Sequence, residues 1–442
     1  MRGAPKRHLV PALAVLALAL SACTPSGQAS QSEEGGSAGQ STTRHIQGLT
    51  GLPVQLEAKD APTPLHIGVI VSLTSSPGEG ADWAPMAEGA RVAAERFTDG
   101  NTEVSLEVVD DRGTAEGAVE AFDRLTAVGV TGIVVVSSGP HLDDAIARAN
   151  AAQIPVLLPY DDDPTRAGEE PSSVWLTGPT ADQRGDAFSA ALTQTGSSRC
   201  ILVDAGGGTP VGIEPAAVIT LAPGTDAASM GSTIADAATA NGVSNIVISG
   251  SADALAEGLL AVQSSGVSGT VVVTHQALSP RFAVAVENLG ASTSTPLITA
   301  GLPLSDPTAL KSDLDGQAMS AFLAGLRVAA EDPSVRDLAG SDRFSASAAA
   351  TAHPGSHDAV VALVRAAQTA RSTEPEKVTQ ALRGLSLGQV DGIVTSRLDF
   401  TVSTAASGEA VVPLYSTRQD IGLRPKASTN GWTLTWFAQE RD

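Results

Sequence analysis

Aromatic residues, cysteines and basic residues are all scarce in this chain of 442 residues. Only 3% of the residues are aromatic, which argues against an aromatic cage or a base-stacking platform. The two cysteines, Cys23 and Cys200, are too few for a disulfide framework. Lys and Arg number 27 against 48 Asp and Glu, and the net charge of −21 would repel a nucleic-acid backbone. We therefore expect no nucleic-acid partner.

Long apolar runs are also missing after the first 22 residues, so we expect no membrane-spanning segment in the body of the chain. The opening has the pattern of an export signal, because basic residues precede the apolar run 9–20. Residues 20–23 read Leu-Ser-Ala-Cys and resemble a bacterial lipobox. The resemblance implies a lipoprotein signal peptide over 1–22 and a lipidated Cys23, held at the membrane by about 0.8 kcal/mol per buried CH₂. The alternative is ordinary cleavage after Ala22 beside an unmodified cysteine.

The body of the chain alternates short apolar runs with Ala-rich amphipathic segments. Residues 23–64 are rich in Ser, Gly, Gln and Thr and predict a flexible tether. From Leu65 onward, continuous apolar strands separated by helices indicate a parallel sheet that is covered on both faces. A second series of the same kind begins near Cys200. The sequence therefore predicts an α/β fold with two doubly wound, parallel-sheet lobes.

Several segments, in their order and spacing, are similar to the type I periplasmic binding proteins, specifically the branched-chain amino-acid (Leu/Ile/Val) solute-binding lipoproteins of ABC transporters. They are Ile67 to Thr74, Glu88 to Phe97, Gly132 to Ala145, Ser356 to Ala367 and Gly392 to Phe400. The resemblance implies two hinged lobes, joined by three crossings, that close on a small solute. We place lobe 1 at 65–180 with a return at 306–388, and lobe 2 at 181–305 and 389–442 with the C-terminal strands.

In such a fold the ligand lies at the carboxyl ends of the strands, where helix N-termini supply free amides. Amino-acid-binding relatives place a pair of small hydroxyls after the third strand of lobe 1. Here Gly139 and Pro140 stand at those positions, with Ser138 before and His141 after, so the grip on a carboxylate is weakened. Ser138 also suits a helix cap. A nucleophilic role lacks an orienting carboxylate in the sequence, and we predict no catalysis.

Acidic residues follow the next strand, where relatives carry Ala and Thr. Tyr160, Asp161, Asp162 and Asp163 suit a cationic or polyhydroxylated solute, or a hard cation such as Ca²⁺. A solvated acidic turn is the alternative. The loop that contains Trp83 is expected to supply an apolar wall of the site, unless this Trp is an ordinary core or surface residue.

From the second lobe, His275 and Gln276 stand where amino-acid-binding relatives often place a Glu that pairs with the ligand's ammonium group. The side chain of Gln is uncharged and cannot neutralise that ammonium. Asp204 opens a Gly-rich loop that lacks the spacing of a phosphate cradle. His353 and His357 are separated by Pro and Gly, which disfavours a zinc site. We expect neither a metal nor another cofactor.

These observations favour a lipid-anchored receptor on the extracytoplasmic side of the cell membrane, which binds a small polar solute and delivers it to the permease of an ABC transporter. We predict weak or no binding of leucine, isoleucine and valine, because the positions that read an amino acid's charged head are altered. The competing hypothesis is a surface sensor or interaction scaffold with a degenerate cleft.

Overall fold

The computed structural model describes residues 51–76, 80–168, 171–194, 196–291, 296–425 and 434–439. The predicted signal peptide, the lipobox Cys23 and most of the predicted tether lie outside these residues. Among the helices that are described, none has the length and apolar character needed to cross a bilayer.

The first lobe is built on a five-stranded parallel sheet with the strand order β2-β1-β3-β4-β5. Its strands are β1 (Leu65–Val71), β2 (Val104–Asp110), β3 (Gly132–Val136), β4 (Val156–Leu158) and β5 (Val174–Leu176). The helices between them are α1 (Glu88–Asp99), α2 (Ala115–Val128) and α3 (Asp143–Ala151). Helix α2 begins where the Thr114 hydroxyl accepts a hydrogen bond from the Gly117 amide, and it ends at Gly129 in the left-handed conformation.

The second lobe contains a second parallel arrangement of strands. These are β6 (Ile201–Ala205), β7 (Ala217–Thr220), β8 (Ile246–Gly250), β9 (Val271–Val273) and β10 (Ile298–Gly301). They are accompanied by α4 (Ala181–Gln194), α5 (Ala227–Asn241), α6 (Ala252–Ser265) and α7 (Pro280–Asn288). The predicted two-lobed α/β fold with parallel sheets is thereby confirmed.

After β10 the chain returns to the first lobe, where α10 packs on α1 and β3. The returning elements are α8 (Leu314–Glu331), α9 (Ala348–Thr351), α10 (Pro354–Ala370), α11 (Pro375–Leu382) and the small antiparallel pair β11 (Ser386–Leu387) and β12 (Leu398–Asp399). Two antiparallel strands, β13 (Val412–Thr417) and β14 (Thr435–Ala438), then complete the second sheet in the order β14-β13-β10-β9-β8-β6-β7.

Within the residues that the structure describes, the chain passes between the lobes three times, at residues 177–180, 302–313 and 407–411. Phe400, Ala405 and Ala406 still belong to the first lobe's core. The last crossing therefore lies later in the chain than the position near residue 389 expected from the sequence.

Both faces of each sheet are covered, which explains why the strands show no polar alternation. In β3, Val134 and Val136 pack into one core cluster, and Ile133 and Val135 pack into the cluster on the opposite face.

Cys200 lies directly before β6 and is fully buried, and this burial raises its thiol pKa to about 11. A thiol of this kind is inert at neutral pH.

Candidate ligand-binding cleft

A stack of three rings joins the two lobes. Trp83 lies in the loop after β1, and its ring stacks on Tyr160 with centroids 5.4 Å apart and planes 14° apart. The ring of His275, from the loop after β9 in the other lobe, stacks on Trp83 at 5.8 Å and 10°. Pairs of this geometry contribute roughly 0.5–1.5 kcal/mol beyond the burial of their surface. The predicted site residues Trp83, Tyr160 and His275 are therefore neighbours in the structure.

Tyr160 is fixed by the start of α10. The Tyr160 hydroxyl accepts a hydrogen bond from the Ser356 amide at 3.2 Å and contacts His353 Nδ1 at 3.0 Å. Because the Gly355 amide also donates to His353 Nδ1, that nitrogen is unprotonated and the tyrosine is the donor to it. Burial lowers the pKa of His353 to about 3, so the ring is neutral, and burial raises the pKa of Tyr160.

The three acids that follow Tyr160 are each engaged within the protein. Asp161 lies 2.8 Å from Arg166 Nε, and Asp162 lies 3.0 Å from Arg184 Nη1. Asp163 accepts a hydrogen bond from the Thr165 amide and caps a short turn. Burial raises the pKa of Asp161 in spite of Arg166, and burial also lowers the pKa of Arg184 in spite of Asp162.

Ser138 and His141 do not meet each other. The Ser138 hydroxyl donates to Asp161 Oδ2 at 3.2 Å rather than capping a helix. His141 Nε2 contacts Ser137 Oγ at 3.1 Å and Asp111 Oδ2 at 3.2 Å, so a carboxylate does accompany this histidine, contrary to the sequence-based expectation. Ser137 and Asp111 both contact Nε2 of His141, whereas in a Ser-His-Asp triad the serine and the aspartate contact different nitrogens of the ring. The arrangement lacks the geometry of a catalytic triad.

Two glycines shape this part of the cleft. Gly139 has a φ of +138°, a conformation that favours glycine, and its amide is hydrogen-bonded to Asp161. Gly80 has a φ of +95° and packs so closely that a Cβ would lie 2.3 Å from Ser137 Oγ and 2.5 Å from Ser72 Oγ. This close approach holds the loop that carries Trp83 against the sheet.

In the second lobe, Asp204 and Gln276 have different surroundings. Asp204 Oδ1 accepts hydrogen bonds from the amides of Gly206 and Gly208 at 3.0 and 2.9 Å, so it organises its own loop. Gln276 Oε1 is buried and has no hydrogen-bond partner in the part of the chain that the structure describes. Burial, and secondarily the charge of Arg184, lowers the pKa of His275 to about 3.

Asp82, a residue that the sequence-based reasoning missed, also connects the lobes. Its side chain is buried, and its Oδ2 accepts a hydrogen bond from the Ala252 amide, in the first turn of α6, at 3.1 Å. Its Oδ1 lies 3.6 Å from Arg281 Nε, and Arg281 also pairs with Asp253 at 2.7 Å. A carboxylate at a helix N-terminus is favourably placed in the helix dipole. Asp82 and Trp83 thus form adjacent contacts to the second lobe.

A cavity of about 620 Å³ lies between the lobes. Two of the residues predicted to bind the ligand, Trp83 and Tyr160, line it. The other predicted ligand-binding residues are not in its lining: Ser138, Gly139, His141, Asp161, Asp162, Asp204, His275 and Gln276. Its remaining lining includes the crossing segments 177–179 and 301–306 and the start of α7. The sequence-based reasoning missed Thr177, Arg184 and Ser279, whose atoms Oγ1, Nε and Oγ are buried without a hydrogen-bond partner among the described residues.

Both histidines that were weighed as zinc ligands have other partners. His353 contacts Tyr160 and the Gly355 amide, and His357 lies between Arg96 and Asp358, at 2.7 Å from each. Asp358 is buried in α10 and accepts hydrogen bonds from the backbone amides of Val394 and Thr395. Within the described ranges, no group of three His, Cys, Asp or Glu could hold a metal ion.

The sequence profile of the family described as periplasmic binding protein matches residues 64–420. This chain belongs to the type I periplasmic binding protein family. No curated protein matches the sequence.

Solved structures of other periplasmic binding proteins share the fold. The leucine-binding protein LivK from Thermotoga maritima has 16% identity and a TM-score of 0.58, over 85% of this chain and 98% of that one. A substrate-binding protein of an ABC transporter from Desulfitobacterium hafniense, in complex with Leu, has 17% identity and a TM-score of 0.57, over 80% and 98%. LivJ from Streptococcus pneumoniae, in complex with isoleucine, has 14% identity and a TM-score of 0.58, over 80% and 95%.

Proposed function

We propose that this periplasmic binding protein is a solute receptor whose lobes close around a small solute in the cavity of about 620 Å³. The carrying observation is that this cavity is lined from both lobes and from two of the crossings between them. The volume falls within the range of about 300–1,000 Å³ that is typical of small-molecule sites. A receptor of this type performs no chemistry.

Closure is a shift of population between open and closed forms, driven by a solute that binds the closed form more tightly. The stack of Trp83 on His275 and the contact of Asp82 with the Ala252 amide hold the lobes together in the described form. Both contacts would break if the lobes separated, so their free energy adds to that of the solute.

The structures of relatives in complex with leucine and isoleucine do not carry over to the solute of this chain. Its acids at Asp161 and Asp162 are paired with arginines, and Gln276 offers no charge to an ammonium group. We therefore expect leucine, isoleucine and valine to bind weakly or not at all.

Thermal-shift screening of the purified protein against a solute library tests the receptor function. A solute at 100 times its dissociation constant adds about 2.7 kcal/mol of stability and raises the melting temperature. Isothermal titration of each hit then gives the dissociation constant. If no solute shifts the transition, the receptor proposal is rejected in favour of a scaffold with a degenerate cleft.

We further propose that Cys23 carries a lipid anchor on the extracytoplasmic side of the membrane and that the partner is the permease of an ABC transporter. The lipobox-like residues 20–23 support the anchor, and the family supports an extracytoplasmic location. Expression of the parent and of Cys23→Ser tests the anchor, because only the parent should partition into membranes and carry acyl mass. Equal partitioning of the parent and of Cys23→Ser would refute the anchor.

Crosslinking to the co-expressed permease tests the partner. The solute-loaded parent is compared with the solute-free protein, which serves as the control.

A further inference from the structure

The lining of the cavity between the lobes is mainly apolar. Among its buried side chains are Trp83, Met86, Ala283, Leu302, Leu414 and Trp436. Apolar surface of this kind favours hydrocarbon over water by about 25 cal/mol per Å² removed from solvent. A strongly hydrated solute would lose its hydration free energy on entering this cavity and would regain little of it from contacts with an apolar lining.

The arginines of the lining are already paired. Arg184 Nη1 lies 3.0 Å from Asp162, and Arg424 Nε lies 2.9 and 3.1 Å from the two oxygens of Asp306. His353, also in the lining, is neutral. A ligand carboxylate would have to compete with these internal carboxylates, and a charge without a partner is costly to bury. Within the described lining, the buried charges therefore offer little to an ionic solute.

Three buried polar atoms nevertheless lack partners. Thr177 Oγ1 and Ser279 Oγ come from opposite lobes of the cavity wall, and Arg184 Nε–H is an unused donor. The side chains of these residues are at least nine-tenths buried. Leaving a buried polar group unsatisfied costs roughly 1–3 kcal/mol. In the described form these atoms are closed off from the cavity by neighbouring atoms. A solute that supplied an acceptor oxygen to them after a change of side-chain rotamer would recover that cost.

We propose that the solute of this cavity is an uncharged, predominantly apolar molecule of drug-like size that carries a carbonyl, amide or hydroxyl group. This inference rests on the proposed receptor function and names the class of its solute. It replaces the polar solute expected from the sequence, because the acids that suggested a polar solute are paired with Arg166 and Arg184.

A matched series of probes on one carbon skeleton tests this class. The full chain is titrated with 6-phenylhexanamide, 6-phenylhexanoate and 6-phenylhexylammonium, and with phenylalanine as a zwitterion. We expect the uncharged amide to bind at least about tenfold more tightly than either ion, because only the ions lose charge hydration without gaining a partner.

Two kinds of variant locate the binding. Ala283→Phe fills the cavity and should abolish binding of the amide, whereas Ala240→Phe, at an exposed position of α5, should leave it unchanged. Circular dichroism establishes that both variants are folded. Thr177→Val removes a hydroxyl at nearly constant shape, so it should weaken binding of the amide several-fold and leave the solute-free protein as stable as the parent or more so. Loss of both affinity and stability in Thr177→Val would indicate a merely structural hydroxyl.

The outcomes separate the solute class from the receptor function. If an ion or phenylalanine binds as tightly as the amide and Ala283→Phe abolishes that binding, the receptor function stands and the solute class is wrong. If the amide binds equally well to Ala283→Phe, the site lies elsewhere and the inference is overturned. If neither the series nor the wider library binds, the receptor function fails and the solute class fails with it.

Discussion

The ring of Trp83 lies nearly parallel to that of His275, with 10° between their planes, although the two residues come from different lobes. The ring of Tyr160 also stacks on this indole, with 14° between the planes. One side chain is therefore the central member of a stack that spans the cleft, and several measurable consequences depend on it.

Trp83→Ala should destabilise the protein and separate the lobes. Trp83 is 6% exposed, and truncation of a buried aromatic residue costs about 3–5 kcal/mol. Chemical denaturation should show this loss, and small-angle scattering should show a larger radius of gyration. Trp83→Phe keeps a ring at this position. Its stability and its radius of gyration should therefore lie between those of the parent and those of Trp83→Ala. An unchanged radius in Trp83→Ala would mean that the stack does not hold the lobes together.

Asp82→Ala should weaken the closed form through α6. The variant loses the acceptor for the Ala252 amide and the charge near Arg281, and a buried donor left without a partner costs roughly 1–3 kcal/mol. Asp226→Ala is the matched control, because Asp226 caps α5 within the second lobe alone. We expect both variants to lose stability, but only Asp82→Ala to change the scattering profile. The interpretation fails if the control changes the profile equally.

Gly80→Ala should cost more stability than Gly129→Ala. Both glycines have positive φ, +95° and +81°, and backbone strain of this kind costs about 1–3 kcal/mol. Only at Gly80 would the new Cβ also collide, with Ser137 Oγ at 2.3 Å, whereas Gly129 has open space around it. Denaturation of the two variants side by side measures the difference. Equal losses would show that the Trp83 loop can move away from Ser137.

His353→Asn should reduce the dependence of stability on pH. The pKa of His353 is lowered from its ordinary value of 6.5 to about 3, so between these values the unfolded chain binds a proton that the folded protein does not. Its contribution is present above pH 6.5 and is lost as the pH falls toward 3, at roughly 1.4 kcal/mol per pH unit. Asn can still cap α10 but cannot take up this proton.

Unfolding free energies at pH 7, 6, 5 and 4 should thus fall less steeply in His353→Asn than in the parent. His275 and Glu88 titrate in the same range in both proteins, with pKa values of about 3 and about 7. Only the difference between the parent and the variant therefore reports His353. Parallel curves would show that the folded protein accommodates the charged imidazole.

The sequence predicted the fold well where apolar runs were long and bounded. Strand β3, Gly132–Val136, coincides with an unbroken apolar run in the sequence, because the strand is buried on both faces. Strand β5 was missed because Val174–Leu176 is only three residues long, too short for any periodicity. Helix α7 was missed although Ser279 and Pro280 are a usable signal, since Pro is favoured at the first position of a helix.

The site was predictable only in part. Parallel strands end at one edge of a sheet, so the proximity of the loops that contain Trp83, Tyr160 and His275 follows from chain order. The arginine partners of Asp161 and Asp162 depend on how a short turn and α4 pack, and no local pattern reports that packing. Thr177 lies on the first crossing, and Ser279 lies directly before α7. These two residues meet at one cavity only when the lobes are assembled.

Two of the three crossings form part of the cavity wall, at residues 177–179 and 301–306. A solute in this cavity would contact the same segments that must move for the two lobes to separate. In the proposed receptor, release of the solute and separation of the lobes would therefore be one coupled step. Under that proposal, a tighter-binding solute would be released more slowly.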